Sequence, residues 1–167
     1  MQLGLSLSTF TTVHVIISLI GIVAGLIVMF GLLGSNRMSG MTALFLLFTI
    51  LTSATGFLFP FEGFKPSYAV GALSLVLLAI ACIALYGTKL SGAWRWIYVV
   101  TAMASLYLNV FVLVIQCFLK VPALHALAPG EPPGGPVFGV VQGIALLFFV
   151  IVTIGAVRRF RPLPVYA

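Results

Sequence analysis

Few side chains in this 167-residue sequence can do chemistry. There are two imidazoles, His14 and His125, two thiols, Cys82 and Cys117, and two carboxylates, Glu62 and Glu131. A haem held by two histidines needs imidazoles facing each other across a bundle. With only one pair, a single haem is conceivable, or a metal ion helped by Glu62 or Glu131, but not haems on both sides. The thiols have no CxxC spacing. No HExxH, GxSxG or acidic pair occurs, so hydrolysis lacks support. Proton- or ion-coupled transport uses an Asp, Glu, Lys or Arg within a span, and the apolar runs of this chain hold none.

The elements that must position these residues are set by composition. Sixty-two per cent of the residues are hydrophobic and 6% charged, against roughly 45–50% and about 25% in soluble domains. A spanning helix needs about 20 mostly apolar residues at about 1.5 Å each. Five such runs are present: Phe10 to Leu33, Met41 to Pro60, Tyr68 to Gly87, Trp96 to Leu119 and Val137 to Val157. The expected fold is an all-α integral membrane bundle of about five transmembrane helices, one domain over residues 1–167. The first run is longer than the roughly 7–15 residues of a signal h-region, and Met1 to Ser8 carry no basic residue, so it reads as a retained helix. Val121 to Ala128 could lie on the membrane, with Val121, Leu124 and Leu127 toward lipid.

The net charge of +6 does not point to nucleic acid, because the basic residues are scattered through the loops and tail. They read as topology signals. Arg37, Lys89, Arg95, Arg158, Arg159 and Arg161 fall on one side of a five-span chain, and Lys65 and Lys120 on the other. By the positive-inside rule the C-terminus is cytoplasmic and the N-terminus outside. Trp94, Trp96 and Tyr98 then sit at the inner interface, and Phe61, Phe64 and Tyr68 at the outer one. Helix rise separates Cys82 from Cys117 in depth by about 18 Å, too far for bonded Cα atoms, which lie within about 7 Å.

With this topology the strongest hydrogen-bonding side chains share the outer half of the bilayer. His14, Ser18, Gly21 and Gly25 follow one helix face, and so do Ser105, Asn109, Val112 and Gln116. Polar groups in hydrocarbon turn toward the bundle interior. The candidate ligand-binding residues are therefore His14, Ser18, Ser53, Asn109, Gln116 and Gln142, with Thr52 and Thr55 at similar depth. No catalytic residue or metal ligand is assigned. Such residues also serve simply as packing glue between membrane helices. The Gly21–Gly25 GxxxG reads as close packing within the bundle rather than dimerisation. Ser and Thr of the inner half can bond to their own helix.

Two stretches, Thr52-Ser53-Ala54-Thr55-Gly56-Phe57-Leu58-Phe59-Pro60 and Ala93-Trp94-Arg95-Trp96-Ile97-Tyr98-Val99-Val100-Thr101-Ala102, resemble a family of small, uncharacterised proteobacterial inner-membrane proteins. Leu106 to Val112 and Phe118 to Leu124 are similar to it as well. The resemblance implies a bacterial inner membrane and carries no activity or site residues. The expected function is a non-enzymatic accessory subunit, or a binder of a lipid, quinone or similar amphiphile in the outer-half pocket. Its partners would be the lipid bilayer and a membrane protein, not nucleic acid. The alternatives are a redox subunit binding haem or metal at the outer face through His14, and a facilitator of neutral-solute transport. The cofactor is left unknown.

Overall fold

The computed structural model describes residues 4, 6–60 and 66–163. Among them every regular element is helical: α1 Leu7–Leu33, α2 Ser39–Gly56, α3 Pro66–Cys82, α4 Trp94–Lys120, α5 Pro122–Leu127 and α6 Gly135–Arg159. A π-helical turn, Ile83–Gly87, prolongs α3. Five of these helices are long and apolar enough to cross a membrane, which makes this a multi-pass membrane protein. The ends follow local chemistry. Ser6 caps α1 by accepting from Thr9 N at 3.1 Å, satisfying a donor that the first turn leaves unpaired. Prolines stand in the first turns of α5 and α6, where the missing N–H costs nothing.

The long central helix is α4, which packs against α1, α2, α3, α5 and α6. Its Tyr98, Val99, Ala102, Met103 and Leu106 are buried among Val28 and Met29 of α1, Phe45 of α2 and Leu78 of α3. Helix α6 lies at the edge against α4 and α1. Only 11% of its apolar stretch is buried, compared with 44% for α1. Val140, Ile144, Leu147 and Ile151 point outward, as a lipid-facing helix requires.

The glycine pair of α1 is packed inside the bundle, as its spacing predicts. A Cβ at Gly21 would lie 3.3 Å from Thr49 N, and one at Gly25 would lie 2.5 Å from Leu106 Cδ1. On α6, by contrast, Gly139 and Gly143 have nothing within 4 Å.

At one end of the bundle three arginines tie the helix ends together. Arg37 Nη2 donates to Leu85 O at 3.4 Å. Arg95 Nη1 donates to Val157 O at 3.2 Å and to Phe160 O. Arg161 N donates to Ser35 Oγ at 2.8 Å, fastening the tail to the α1–α2 loop. This is the basic end. Tyr98 was expected there as an interfacial ring but is 1% exposed and belongs to the core. Helix α4 begins four residues earlier, at Trp94, so Tyr98 already lies one turn inside and its phenol meets Thr42. Trp96 is exposed as an interfacial ring should be. Beyond the opposite end, Val121 before α5 and Leu127 at its end are exposed and Leu124 is half-buried. Phe61, Glu62, Phe64 and Lys65 lie outside the described residues.

Cys82 and Cys117 are both free thiols. Hydroxyls buried toward the basic end bond to backbone, Thr42 to Arg37 O at 2.9 Å and Thr101 to Ile97 O at 2.8 Å. Deeper in, Ser105 donates to Thr101 O at 2.8 Å. Thr49 is the exception, since its Oγ1 is enclosed without a partner.

Candidate functional site

At the end away from the arginines, four helices leave a half-open cavity of about 90 Å³. His14 enters from α1, Thr52, Ser53 and Gly56 from α2, Ser67, Tyr68, Gly71 and Ser74 from α3, and Leu108, Asn109 and Val112 from α4. Among the described residues no Asp, Glu, Lys or Arg lines it. Its size is that of several water-sized groups at about 10–15 Å³ each. Whole-ligand sites run to about 300–1,000 Å³, so this cavity takes the end of a molecule rather than all of it.

Each polar wall has an identifiable support. His14 Nδ1 lies 2.7 Å from Thr55 Oγ1, and its ring stands edge-on to Phe59 with centroids 5.1 Å apart. Phe10 packs edge-on against Phe59 at 5.0 Å. These contacts fix the imidazole plane. Ser53 donates to Ser74 Oγ at 3.1 Å, joining α2 to α3 at the back of the cavity. Asn109 is held by its place on the buried stripe of α4, yet its Nδ2 is enclosed with no hydrogen-bond partner. A buried orphan amide costs about 1–3 kcal/mol, a cost that turning the amide toward an oxygen in the cavity would relieve.

Two glycines make the space. A Cβ at Gly71 would stand 3.2 Å from the Phe57 ring, and one at Gly56 would stand 3.9 Å from His14 Cε1. Any larger residue at Gly56 grows into the cavity beside the imidazole.

Of the six residues singled out from the sequence, the structure brings three together: His14, Ser53 and Asn109. The other three lie elsewhere. Ser18 donates to His14 O at 2.8 Å, back along its own helix. Gln116 is exposed, because the 27-residue α4 outruns the 18-residue α2 at this end. Gln142 is buried but turns toward α4, where Nε2 donates to Phe111 O at 3.0 Å and Oε1 has no partner. It fastens α6 to α4.

Sequence reasoning missed Ser74, Tyr68, Gly56 and Gly71. A lone Ser in an apolar run carries no signal until a partner faces it, and here the partner is Ser53. The second histidine is not part of this site. His125 sits on α5, where its Nδ1 is 3.2 Å from Phe118 O. Among the described residues no three of His, Cys, Asp and Glu come together as metal ligands.

No protein-family model matches this chain, and no curated protein and no solved structure matches it either.

Proposed function

We propose that this protein is a non-enzymatic binder of an amphiphile, acting alone or as the accessory subunit of a membrane partner, and that the cavity holds the uncharged polar end of that ligand. The observation that carries this reading is the convergence of His14, Ser53, Ser74 and Asn109 on one cavity whose described lining is uncharged, with the Asn109 amide nitrogen unpartnered. Packing glue accounts for the Ser53–Ser74 and His14–Thr55 pairs but not for polar groups of four helices lining one open cavity. The small volume agrees: the polar end fits, and the apolar remainder lies along the lipid-facing helices.

The test is gentle purification from the native membrane, with mass spectrometry of bound amphiphiles and a visible spectrum and metal analysis of the same sample. An uncharged amphiphile near one per chain is expected, and Gly56→Phe, which fills the cavity, is expected to lose most of it. Equal retention by Gly56→Phe would overturn the reading. A Soret band or stoichiometric metal that His14→Ala abolishes would replace it with a redox subunit.

The proposed setting is a bacterial inner membrane with the basic end in the cytoplasm, which puts the cavity in the outer leaflet. The support is the charge asymmetry, since Arg37, Lys89, Arg95, Arg158, Arg159 and Arg161 share one end. With Cys82 and Cys117 replaced, Glu131→Cys is expected to react with an impermeant maleimide on intact cells, and Ser91→Cys only after permeabilisation. The reverse pattern would invert the topology.

A further inference from the structure

Resting on the cavity reading above, we infer that the group received is the hydroxyl of an uncharged lipid alcohol, donated to His14 Nε2. The tautomer of His14 follows from its neighbour. Thr55 Oγ1 has one proton and lies 2.6 Å from Leu51 O, the carbonyl one turn back on its own helix. A threonine on a helix makes this bond routinely. With that proton engaged, the 2.7 Å contact between Thr55 Oγ1 and His14 Nδ1 is made by Nδ1–H donating. Nε2 then carries a lone pair and no proton, and no hydrogen bond reaches it from the described residues.

An acceptor at the cavity wall selects among ligands. A quinone, ketone, ester or ether oxygen has no proton to give it. A carboxylate, phosphate or ammonium would bring a full charge to a lining whose described residues offer no counter-charge, which is costly at membrane depth. Neutral donors remain, either O–H or N–H.

Asn109 separates these two. Its amide nitrogen is an unpartnered donor, and the broad last torsion of an Asn side chain lets that nitrogen turn toward the cavity. A hydroxyl oxygen both donates to Nε2 and accepts from the amide. An amide or indole N–H can only donate, and an amine at neutral pH is the ammonium already excluded. The apolar walls Val70, Leu108 and Val112 suit the first carbons of a chain behind that hydroxyl.

The experiment uses the full chain in phosphatidylcholine nanodiscs, a lipid with no hydroxyl donor. A photoreactive diazirine analogue of dodecanol is crosslinked, with dodecanol and its methyl ether as competitors. Dodecanol is expected to compete at about tenfold lower concentration than the ether, the ratio given by one unsatisfied polar group. Label is expected on the peptide carrying Leu108 to Val112. In His14→Phe the ratio is expected to fall below about twofold, since the acceptor is gone. Should that variant not fold, Asn109→Leu must narrow the ratio as well.

Equal competition by the two compounds in the unmodified protein, still abolished by Gly56→Phe, would overturn the hydroxyl assignment and leave the cavity reading standing. Competition that ignores Gly56→Phe would overturn both. A ratio that survives in His14→Phe and Asn109→Leu would overturn the two assigned partners.

Discussion

Replacing Gly25 by Ala is expected to destabilise the protein by about 1–3 kcal/mol, the usual cost of forcing a methyl group into a filled core. Gly25 sits where α1 crosses the bundle. Its added Cβ would fall 2.5 Å from Leu106 Cδ1 and 2.8 Å from Phe45 Cδ2. Both neighbours are 0% exposed, so neither has space to retreat, and α1 must back away as a body. Backing away separates α1 from α2 and α4 and loses dispersion contacts along the whole seam. Gly143→Ala is the matched control, because nothing lies within 4 Å of its added Cβ. Thermal unfolding in one detergent, followed by monodispersity, reads both. A Gly25→Ala protein as stable as Gly143→Ala would mean that α1 does not pack on α4 as described.

Arg95→Met is expected to lose about 2–3 kcal/mol and to loosen the C-terminal part of α6 before the rest. One Arg95 nitrogen donates to both Val157 O and Phe160 O, where the last helical carbonyls have no partner within the helix. Hydrogen bonds from a charged donor are worth about 1.5–3 kcal/mol, and a cation also favours the negative end of the helix dipole. Helix α6 depends on this clamp more than its neighbours would, since so little of it is buried. Its other anchors are the Gln142 bond to Phe111 O and the ring contacts Tyr107–Phe149 and Phe118–Phe138. Limited proteolysis should show the tail after Arg159 cut faster in Arg95→Met. Arg95→Lys should recover part of the protection, because an ammonium keeps the charge but has a shorter reach. Unchanged proteolysis alongside unchanged stability would show that the clamp contributes nothing.

The candidate site was half legible in the sequence, and the α4 stripe shows why. Ser105 and Asn109 stand among apolar neighbours at helical spacing, and in lipid such groups have to face protein. The structure buries Ser105 fully and puts Asn109 on the cavity. Gln116 obeys the same spacing yet is exposed. Spacing gives a face of a helix, while the extent of that face which is covered depends on where the neighbours end.

Gln142 illustrates the same limit for rotation. Gln142 is the one strongly polar side chain in the middle of α6, so the pattern says that this side faces protein but not which helix it meets; only packing turned Gln142 to Phe111 and away from the cavity.

The number of spans, the separated thiols and the absence of charge within the apolar runs were determined by the sequence alone. They follow from length, composition and covalent geometry, which hold whatever the neighbours do. The partners of the polar residues were decided by tertiary structure. Ser74 became a cavity residue because α3 set it against Ser53, and His14 gained its partner because α2 set Thr55 beside it. In a bilayer the apolar faces are nearly interchangeable, since lipid solvates them as well as protein does. Helix rotation is therefore fixed by steric fit at points such as Gly21 and Gly25 and by a few hydrogen bonds, and those exist only once the helices have met.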